Sequence, residues 1–171
     1  MTGNKRRAAL TKGFSMLEMI VVVGILAVGT VASFPSIRNT LETRALEGAA
    51  RDVQQALQTA KFRSTADKVY ARVRFSVSGN TTSYITEEQI TAGTWTTAPK
   101  SVWKSIPNKL TVTLSLPTTN DIQFTSTGFV YNYDSTKNSI VISSAKLSSL
   151  SQPANRTIRF YAGGSIQFLK S

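Results

Sequence analysis

Glu18 is the residue whose position in this sequence most directly suggests chemistry, because it lies inside a long apolar run. The run extends from Phe14 to Phe34, and its other polar residues are Ser15, Thr30 and Ser33. A helix of about 20 apolar residues crosses the hydrocarbon core of a bilayer, and this run has that length. A carboxylate in such a segment is costly unless a partner compensates its charge, so Glu18 is a candidate functional residue.

The remaining carboxylates offer no catalytic arrangement. The chain has 9 Asp and Glu residues, no His and no Cys, which excludes His-based acid–base chemistry, disulfides and zinc sites built on His or Cys. The only adjacent carboxylates are Glu87 and Glu88, and neighbouring residues of a strand point to opposite faces. We therefore expect this pair to be solvated charges near a loop, and we predict no enzymatic activity, no cofactor and no metal site.

Basic residues outnumber acidic ones, with 20 Lys and Arg and a formal net charge of +11. Arg72 and Arg74 share one face of a predicted strand with Tyr70, and Arg156 and Arg159 lie on a predicted hairpin. Arginine beside an aromatic side chain can grip phosphates and stack on bases, so these four are candidate contacts for DNA or another anion. The alternative is a solvated strand face or a surface for neighbouring subunits.

One long helix is predicted to position Glu18. After Pro35, apolar residues recur at spacings of three and four from Ile37 to Ala60, which is typical of an amphipathic helix. We predict one helix from about Ser15 to about Arg63, with a membrane half, an amphipathic half and a kink at Pro35. Lys5, Arg6, Arg7 and Lys12 precede the apolar run without any acidic residue, which orients that end towards the cytoplasm.

The rest of the chain changes to the alternation of a half-buried sheet. Residues 69–77 alternate between apolar and polar, which predicts a strand with an apolar face and a basic face, and Ser78-Gly79-Asn80 predicts the turn after it. We predict loops at 88–99 and 148–155 and further strands at 83–87, 101–106, 110–116, 122–125, 129–133, 139–147, 156–161 and 165–169. The apolar stripe from Leu41 to Ala60 would cover the apolar side of these strands, which gives an α+β fold in which one long N-terminal helix packs on antiparallel β-sheet.

The stretch KGFSMLE resembles the processing motif of type IV prepilin-like proteins. It has a basic leader, Gly13, an aromatic Phe14 and Glu18 five residues into the mature chain, and Pro35 lies where this family commonly has a proline. The resemblance implies that a prepilin peptidase cuts between Gly13 and Phe14 and N-methylates the amine of Phe14. It also implies that Glu18 pairs with the N-terminus of a neighbouring subunit during assembly.

The C-terminal part is similar to the GspH/FimT group, in which a unit with the pattern apolar-x-Phe-x-x-x-Gly recurs. IQFTSTG at 122–128 and IRFYAGG at 158–164 both match it. Since this group supplies minor components, the resemblance implies a minor pilin or pseudopilin of a type IV pilus or a type II secretion pseudopilus. Its partners would be the prepilin peptidase, other pilin or pseudopilin subunits and, before assembly, the inner membrane.

The resemblance also divides the chain. Residues 1–13 would be a cleaved leader, 14–35 the transmembrane and polymerisation helix, and 36–171 a pilin-like globular domain in the periplasm or outside the cell. The subunit would first be a single-pass protein of the inner membrane, with its C-terminal domain outside the cytoplasm, and then part of the filament.

Two alternatives remain open from the sequence. Some members of the FimT group are linked to DNA uptake through a basic C-terminal tail, but the tail here carries one basic residue, Lys170. The second alternative is a membrane-anchored domain that never polymerises. A plain signal anchor fits the length and flanking charge of the apolar run but leaves Glu18 unexplained, and a cleaved secretory signal has a shorter apolar region.

Overall fold

A computed structural model of the chain describes residues 15–171, with only the backbone described for 29–37. The second of its two compact units is Asn39–Ser171, and the first ends at Arg38. The predicted long helix is confirmed, because helix α1 is Met16–Ala66 and ends three residues later than expected. Its backbone is helical through Pro35, and a kink there stays a prediction.

The second unit contains nine strands and one short helix after α1. They are β1 (Tyr70–Ser78), β2 (Thr81–Thr91), β3 (Thr94–Thr97), β4 (Lys104–Ser105), β5 (Thr111–Ser115), β6 (Asp121–Phe124), β7 (Ser139–Ser143), α2 (Ala145–Ser149), β8 (Asn155–Phe160) and β9 (Ile166–Lys170). These elements confirm the α+β fold class.

The strands form two antiparallel sheets, a division that the prediction of antiparallel β-sheet did not specify. The first sheet has the order β3-β2-β1-β6, with β4 also paired to β2, and the second has the order β5-β7-β8-β9. Three pairs, β1–β2, β2–β3 and β8–β9, are joined by short turns, whereas α2 lies between β7 and β8. In addition, β1 pairs with β6 and β5 pairs with β7 across intervening strands. Alternation along one strand does not reveal such a pairing, so the sequence did not separate the sheets.

The amphipathic half of α1 covers the apolar sides of the strands. Its buried positions are spaced by three and four residues and are Leu46, Ala49, Ala50, Val53, Leu57 and Ala60. They share one core with alternate residues of β1, namely Ala71, Val73 and Phe75. Leu41, which we placed in the same stripe, is 57 % exposed, so the buried stripe begins one turn later than predicted.

The predicted loop at 88–99 is wrong, because this stretch completes a β-hairpin. Strand β2 continues to Thr91, Gly93 adopts a positive φ of 81° in the turn, and β3 returns from Thr94. The threonines of this stretch favour strand backbone because their β-branched side chains fit a pleated surface. A register shift between Gln89 and Thr91 hides the regular alternation that would have revealed the strand.

Three other predicted strands are shorter than expected. The strand at 139–147 stops at Ser143, because Ser144 caps α2 by accepting a hydrogen bond from the Leu147 backbone N–H. The strand at 129–133 is reduced to one bridge between Phe124 and Val130, and the strand at 101–106 is reduced to the two residues of β4.

The two copies of the repeated unit form two equivalent turns. Both copies bury their Ile and Phe fully, and both final glycines have a positive φ, 82° at Gly128 and 72° at Gly164. The Gly128 N–H donates to the Thr125 carbonyl at 2.8 Å, and the Gly164 N–H donates to the Tyr161 carbonyl at 2.7 Å. The repeat therefore specifies one local structure twice, once after β6 and once after β8.

Candidate functional site

The apolar beginning of α1 is the first candidate site. Every side chain from Ser15 to Val28 is exposed, including those of Met16, Leu17 and Ile25 at 84 %, 73 % and 67 %. Glu18 lies in the first turn of the helix and is exposed as well. A helix that is apolar on all sides normally has lipid or other protein around it, so this segment is a surface for something outside the domain.

The positions predicted for processing lie outside the described residues. Gly13 and Phe14 precede Ser15, so the cleavage site, the N-methylated amine and its relation to Glu18 stay predictions. Within the part of the chain that is described, no helix combines the length and the mean hydropathy of a membrane span.

Arg72 and Arg74 lie together on the outer face of the first sheet, opposite the buried face of β1. The Nε of Arg72 donates to Glu87 Oε2 at 2.7 Å, and its Nη1 donates to Asp121 Oδ2 at 2.9 Å. Arg74 donates to Glu87 Oε1 from both Nε and Nη2, at 3.1 and 2.7 Å. Both guanidinium groups therefore bind Glu87, Arg72 also binds Asp121, and the pairs are partly buried, with Glu87 only 6 % exposed.

Two indole rings stack on these guanidinium groups. The Cζ of Arg72 lies 4.1 Å from the ring centre of Trp95, and the Cζ of Arg74 lies 5.2 Å from that of Trp103. Both separations are within the range of a cation–π contact. Trp95 belongs to β3, the strand that our loop prediction missed, and Trp103 immediately precedes β4.

The expectation that Glu87 and Glu88 are solvated charges is wrong. Each residue is 6 % exposed, and each has an arginine partner. Glu88 accepts a hydrogen bond from Arg63 Nη1 at 2.7 Å, and Arg63 Nη2 donates to the Pro99 carbonyl. The two carboxylates therefore do bind different partners, as the alternation of a strand requires, but both are buried in ion pairs.

Arg156 and Arg159 belong to the second sheet and differ in environment. Arg156 is 3 % exposed, and its Nη2 donates to Glu47 Oε1 on α1 at 3.3 Å. Lys170 donates to the same oxygen at 2.6 Å. The hydrogen bond from Lys170 and, secondarily, the charge and hydrogen bond of Arg156 hold the pKa of Glu47 below its ordinary value. Arg159 is exposed, and no ion pair joins it to another described residue.

The four arginines proposed as DNA contacts therefore do not form one basic surface. They lie in two different sheets, three of them are paired with carboxylates, and one of these is buried. The sequence does contain a signal for the pairing of Arg72 with Glu87. A two-residue turn at Gly79-Asn80 aligns Ser78 with Thr81, and counting back from that pair places Arg72 opposite Glu87.

A groove runs between α1 and the segment 99–104 and is lined by Asp52, Thr59, Arg63, Tyr84, Lys100 and Lys104, among others. Burial, together with the negative charge of Asp52, raises the pKa of Tyr84 to about 12, so its hydroxyl stays protonated at neutral pH. Among the described residues, no group of three or more acidic, His or Cys side chains could hold a metal ion.

Comparisons with known proteins find similarity at the level of structure. No family model matches the sequence, and no curated protein matches it. A solved structure of the minor pseudopilin EpsH from the type 2 secretion system of Vibrio cholerae is similar, with a TM-score of 0.55 and 12 % identity. The match covers 73 % of this chain and 96 % of that chain.

The type IV minor pilin FimU of Pseudomonas aeruginosa is similar in two crystal forms. The TM-scores are 0.54 and 0.51, the identities 12 % and 13 %, and the matches cover 75 % and 72 % of this chain. They cover 90 % and 92 % of the FimU chains. The chain therefore has the pilin-like fold of these minor pilins and pseudopilins, in agreement with its predicted resemblance to the GspH/FimT group.

Proposed function

We propose that the chain is a minor pilin or pseudopilin, a structural subunit of a type IV pilus or of a type II secretion pseudopilus. A prepilin peptidase would cleave it after Gly13 and methylate the amine of Phe14. The subunit would reside in the inner membrane with residues 36–171 outside the cytoplasm, and would then enter the filament through residues 14–35.

One combination of features carries this proposal. A helix whose first turns are apolar and exposed, with a single carboxylate at Glu18, continues directly into the spine of a domain with the fold of minor pilins. A filament supplies a reason for both features. Neighbouring helices cover the apolar surface, and a terminal ammonium on an adjacent helix compensates Glu18 only when the register of the helices is correct.

The DNA-binding alternative is less well supported. Phosphate recognition needs cationic groups that are free to release counterions and contact the backbone. Arg72, Arg74 and Arg156 are each already paired with a carboxylate. The non-polymerising alternative predicts that Glu18 is dispensable, because a simple anchor does not require a carboxylate there.

Two measurements in the native host test the proposal. The first is the intact mass of the mature protein, with and without the prepilin peptidase. We expect loss of residues 1–13 and gain of one methyl group only when the peptidase is present. The second is the amount of the protein in sheared filaments for Glu18→Ala, with Ser15→Ala as the control at the exposed residue just before the same helix.

We expect Glu18→Ala to abolish incorporation and Ser15→Ala to leave it unchanged, because only the first substitution removes the charge that sets register. Retention of residues 1–13 in the presence of the peptidase would overturn the assignment. Equal incorporation of Glu18→Ala and the unaltered protein would show that Glu18 does not set the register. Absence of the unaltered protein from filaments, with residues 1–13 retained, would support the anchored, non-polymerising alternative.

A further inference from the structure

The outer face of the first sheet carries an unusual concentration of aromatic and guanidinium groups. Tyr70, Arg72 and Arg74 alternate along β1 on the face opposite the buried residues. Three aromatic side chains from other segments contact them, namely Trp95, Trp103 and Tyr131. We define the aromatic face as Tyr70, Arg72, Arg74, Trp95, Trp103 and Tyr131.

This face is held rigidly. Glu87 anchors both guanidinium groups from below, and each guanidinium lies over one indole ring. At the other end of the face, Tyr70 and Tyr131 form an edge-to-face pair with ring centres 6.2 Å apart. Because these side chains are already ordered, a partner that binds them loses little conformational entropy.

The aromatic side chains of the face remain partly in solvent. Trp103 is 46 % exposed, Tyr131 is 41 % exposed and Tyr70 is 38 % exposed, while Val102 beside Trp103 is 66 % exposed. The opposite side of the same sheet forms part of the core. Exposed Trp, Tyr and Arg side chains in one rigid patch are the composition of energetic centres in protein–protein interfaces.

The charges of the aromatic face indicate which kind of partner surface is complementary to it. Two arginines are matched by two carboxylates, Glu87 and Asp121, which are 6 % and 8 % exposed. The face is therefore balanced in charge, and it offers no free cation to a polyanion such as DNA. A partner that matches it in charge presents an uncharged surface with apolar or aromatic side chains.

We infer that the aromatic face docks the globular domain of a different pilin-like subunit through an uncharged surface. This inference rests on the proposed function, because it assigns the partner that a filament subunit must contact. It adds a specific surface on the globular domain to the contacts made by the N-terminal helix.

Site-specific photo-cross-linking in the native host tests the contact. The full chain would carry benzoylphenylalanine in place of Trp103, and sheared filaments would be irradiated and analysed by mass spectrometry. The matched control places the same group at Leu150, which is 44 % exposed and follows α2. We expect a cross-link from position 103 to a different chain that carries a prepilin motif, and none to that chain from position 150.

The yield of this cross-link should also be insensitive to salt. Sheared filaments brought to high ionic strength before irradiation should give a yield within about twofold of that at low ionic strength, since no unscreened ion pair joins the partners. A yield that falls steeply with salt would instead indicate recognition by charge and would contradict the inference.

A substitution provides an independent readout. Trp103→Ala should lower the amount of the protein in sheared filaments by about tenfold, which corresponds to loss of one central interface residue. Leu150→Ala should leave it unchanged. Thermal unfolding of both variants serves as the check on folding, and we expect no large shift because both side chains are half-exposed.

The outcomes separate the inference from the proposed function. The protein could enter filaments while position 103 gives no cross-link to another pilin-like chain, or gives a cross-link to a second copy of the protein or to DNA. In each of these cases the inference is wrong and the proposed function stands. If the unaltered protein is absent from filaments altogether, the proposed function is wrong and the inference fails with it.

Discussion

Gly128 and Gly164 lie against each other at the point where the two copies of the repeated unit meet. A Cβ atom added at Gly164 would lie 2.1 Å from the carbonyl oxygen of Gly128 and 3.0 Å from Cε of Lys61 on α1. Beside this contact, the Val130 N–H donates to the Ala162 carbonyl at 2.9 Å. The turn after β6 and the turn after β8 therefore join the two sheets to each other.

The first prediction concerns this contact. Gly164→Ala should lower the free energy of unfolding by more than about 3 kcal/mol, because a methyl group there meets backbone atoms that cannot move aside. The positive φ of 72° adds to the cost. The measurement is equilibrium unfolding in denaturant, followed by circular dichroism.

Two glycines of the same chain provide the controls for this substitution. Gly163 has no atom within 4 Å of an added Cβ, and Gly79 has the same open space but a positive φ of 57°. Gly163→Ala should change stability by less than about 0.5 kcal/mol, and Gly79→Ala should cost about 1–2 kcal/mol. Equal effects at 79 and 164 would mean that backbone conformation alone, and not the contact, explains the glycine.

The second prediction concerns the shared carboxylate of the first sheet. Glu87→Ala should destabilise the protein by about 3–5 kcal/mol, because it leaves two guanidinium groups without their common partner in a largely buried site. Arg74→Ala should cost less, about 1 kcal/mol, since the Arg74 side chain is 43 % exposed and Arg72 still neutralises Glu87.

A double-mutant cycle decides between a shared site and independent pairs. The combined Arg74→Ala and Glu87→Ala variant should be more stable than the sum of the two single effects implies. Simple additivity would contradict the shared arrangement.

The third prediction concerns pH. The pKa of Glu47 is lower in the folded protein than its ordinary value of 4.5, mainly because Lys170 donates a hydrogen bond to it. A lowered carboxyl pKa stabilises the fold above the ordinary value, and this contribution is lost as the pH falls through the folded pKa. The unaltered protein should therefore lose stability relative to Glu47→Gln as the pH is lowered from 6 to below about 4.

Thermal unfolding across this pH range tests the third prediction, and Lys170→Met is its companion variant. Removing Lys170 takes away the main cause of the pKa shift. The pH-dependent effect of Glu47→Gln should therefore be smaller when it is introduced into Lys170→Met than when it is introduced into the unaltered protein. An effect of unchanged size in the Lys170→Met background would show that Lys170 is not its source.

The fourth prediction compares two leucines of α1. Leu57 is fully buried, whereas Leu41 is 57 % exposed. Leu57→Ala should lower the free energy of unfolding by about 2–5 kcal/mol because it leaves a cavity in the core. Leu41→Ala, the same chemical change on the same helix, should change it by less than about 0.5 kcal/mol. A large loss from Leu41→Ala would place the buried stripe where the sequence first suggested.

The sequence predicts the elements that a regular pattern of nearby residues specifies, and it misses the elements that lack such a pattern. The spacing of Leu46, Val53 and Leu57 specifies a helix locally, and the turn at Gly79 specifies its hairpin within a few residues, so both were predictable. Helix α2 has one buried residue, Leu147, which gives no period to detect. The bulge in β2 likewise removes the alternation that identifies a strand.

In the candidate site, too, the local signals were visible in the sequence and the long-range contacts were not. Glu18 stands out because its charge conflicts with the apolar residues next to it, which is a local signal. The arginines were also identified as candidate contacts, but their role depends on the carboxylates and aromatic rings that they contact. Asp121 lies 49 residues from Arg72 along the chain, and the stacking of Trp95 on Arg72 depends on a strand that was not predicted. Isolated basic residues in a strand are therefore weak indicators of nucleic-acid binding until their carboxylate partners are known.

The ion pair between Glu47 and Lys170 has a consequence for the order in which the molecule forms. The two residues are 123 positions apart, and the neighbouring pair of Glu47 and Arg156 spans 109. The helix emerges from the ribosome long before β8 and β9, so the part of α1 around Glu47 lacks these contacts until synthesis is nearly complete. Contacts of such high sequence separation form slowly. That part of α1 is therefore open to non-native contacts while the rest of the chain is being made.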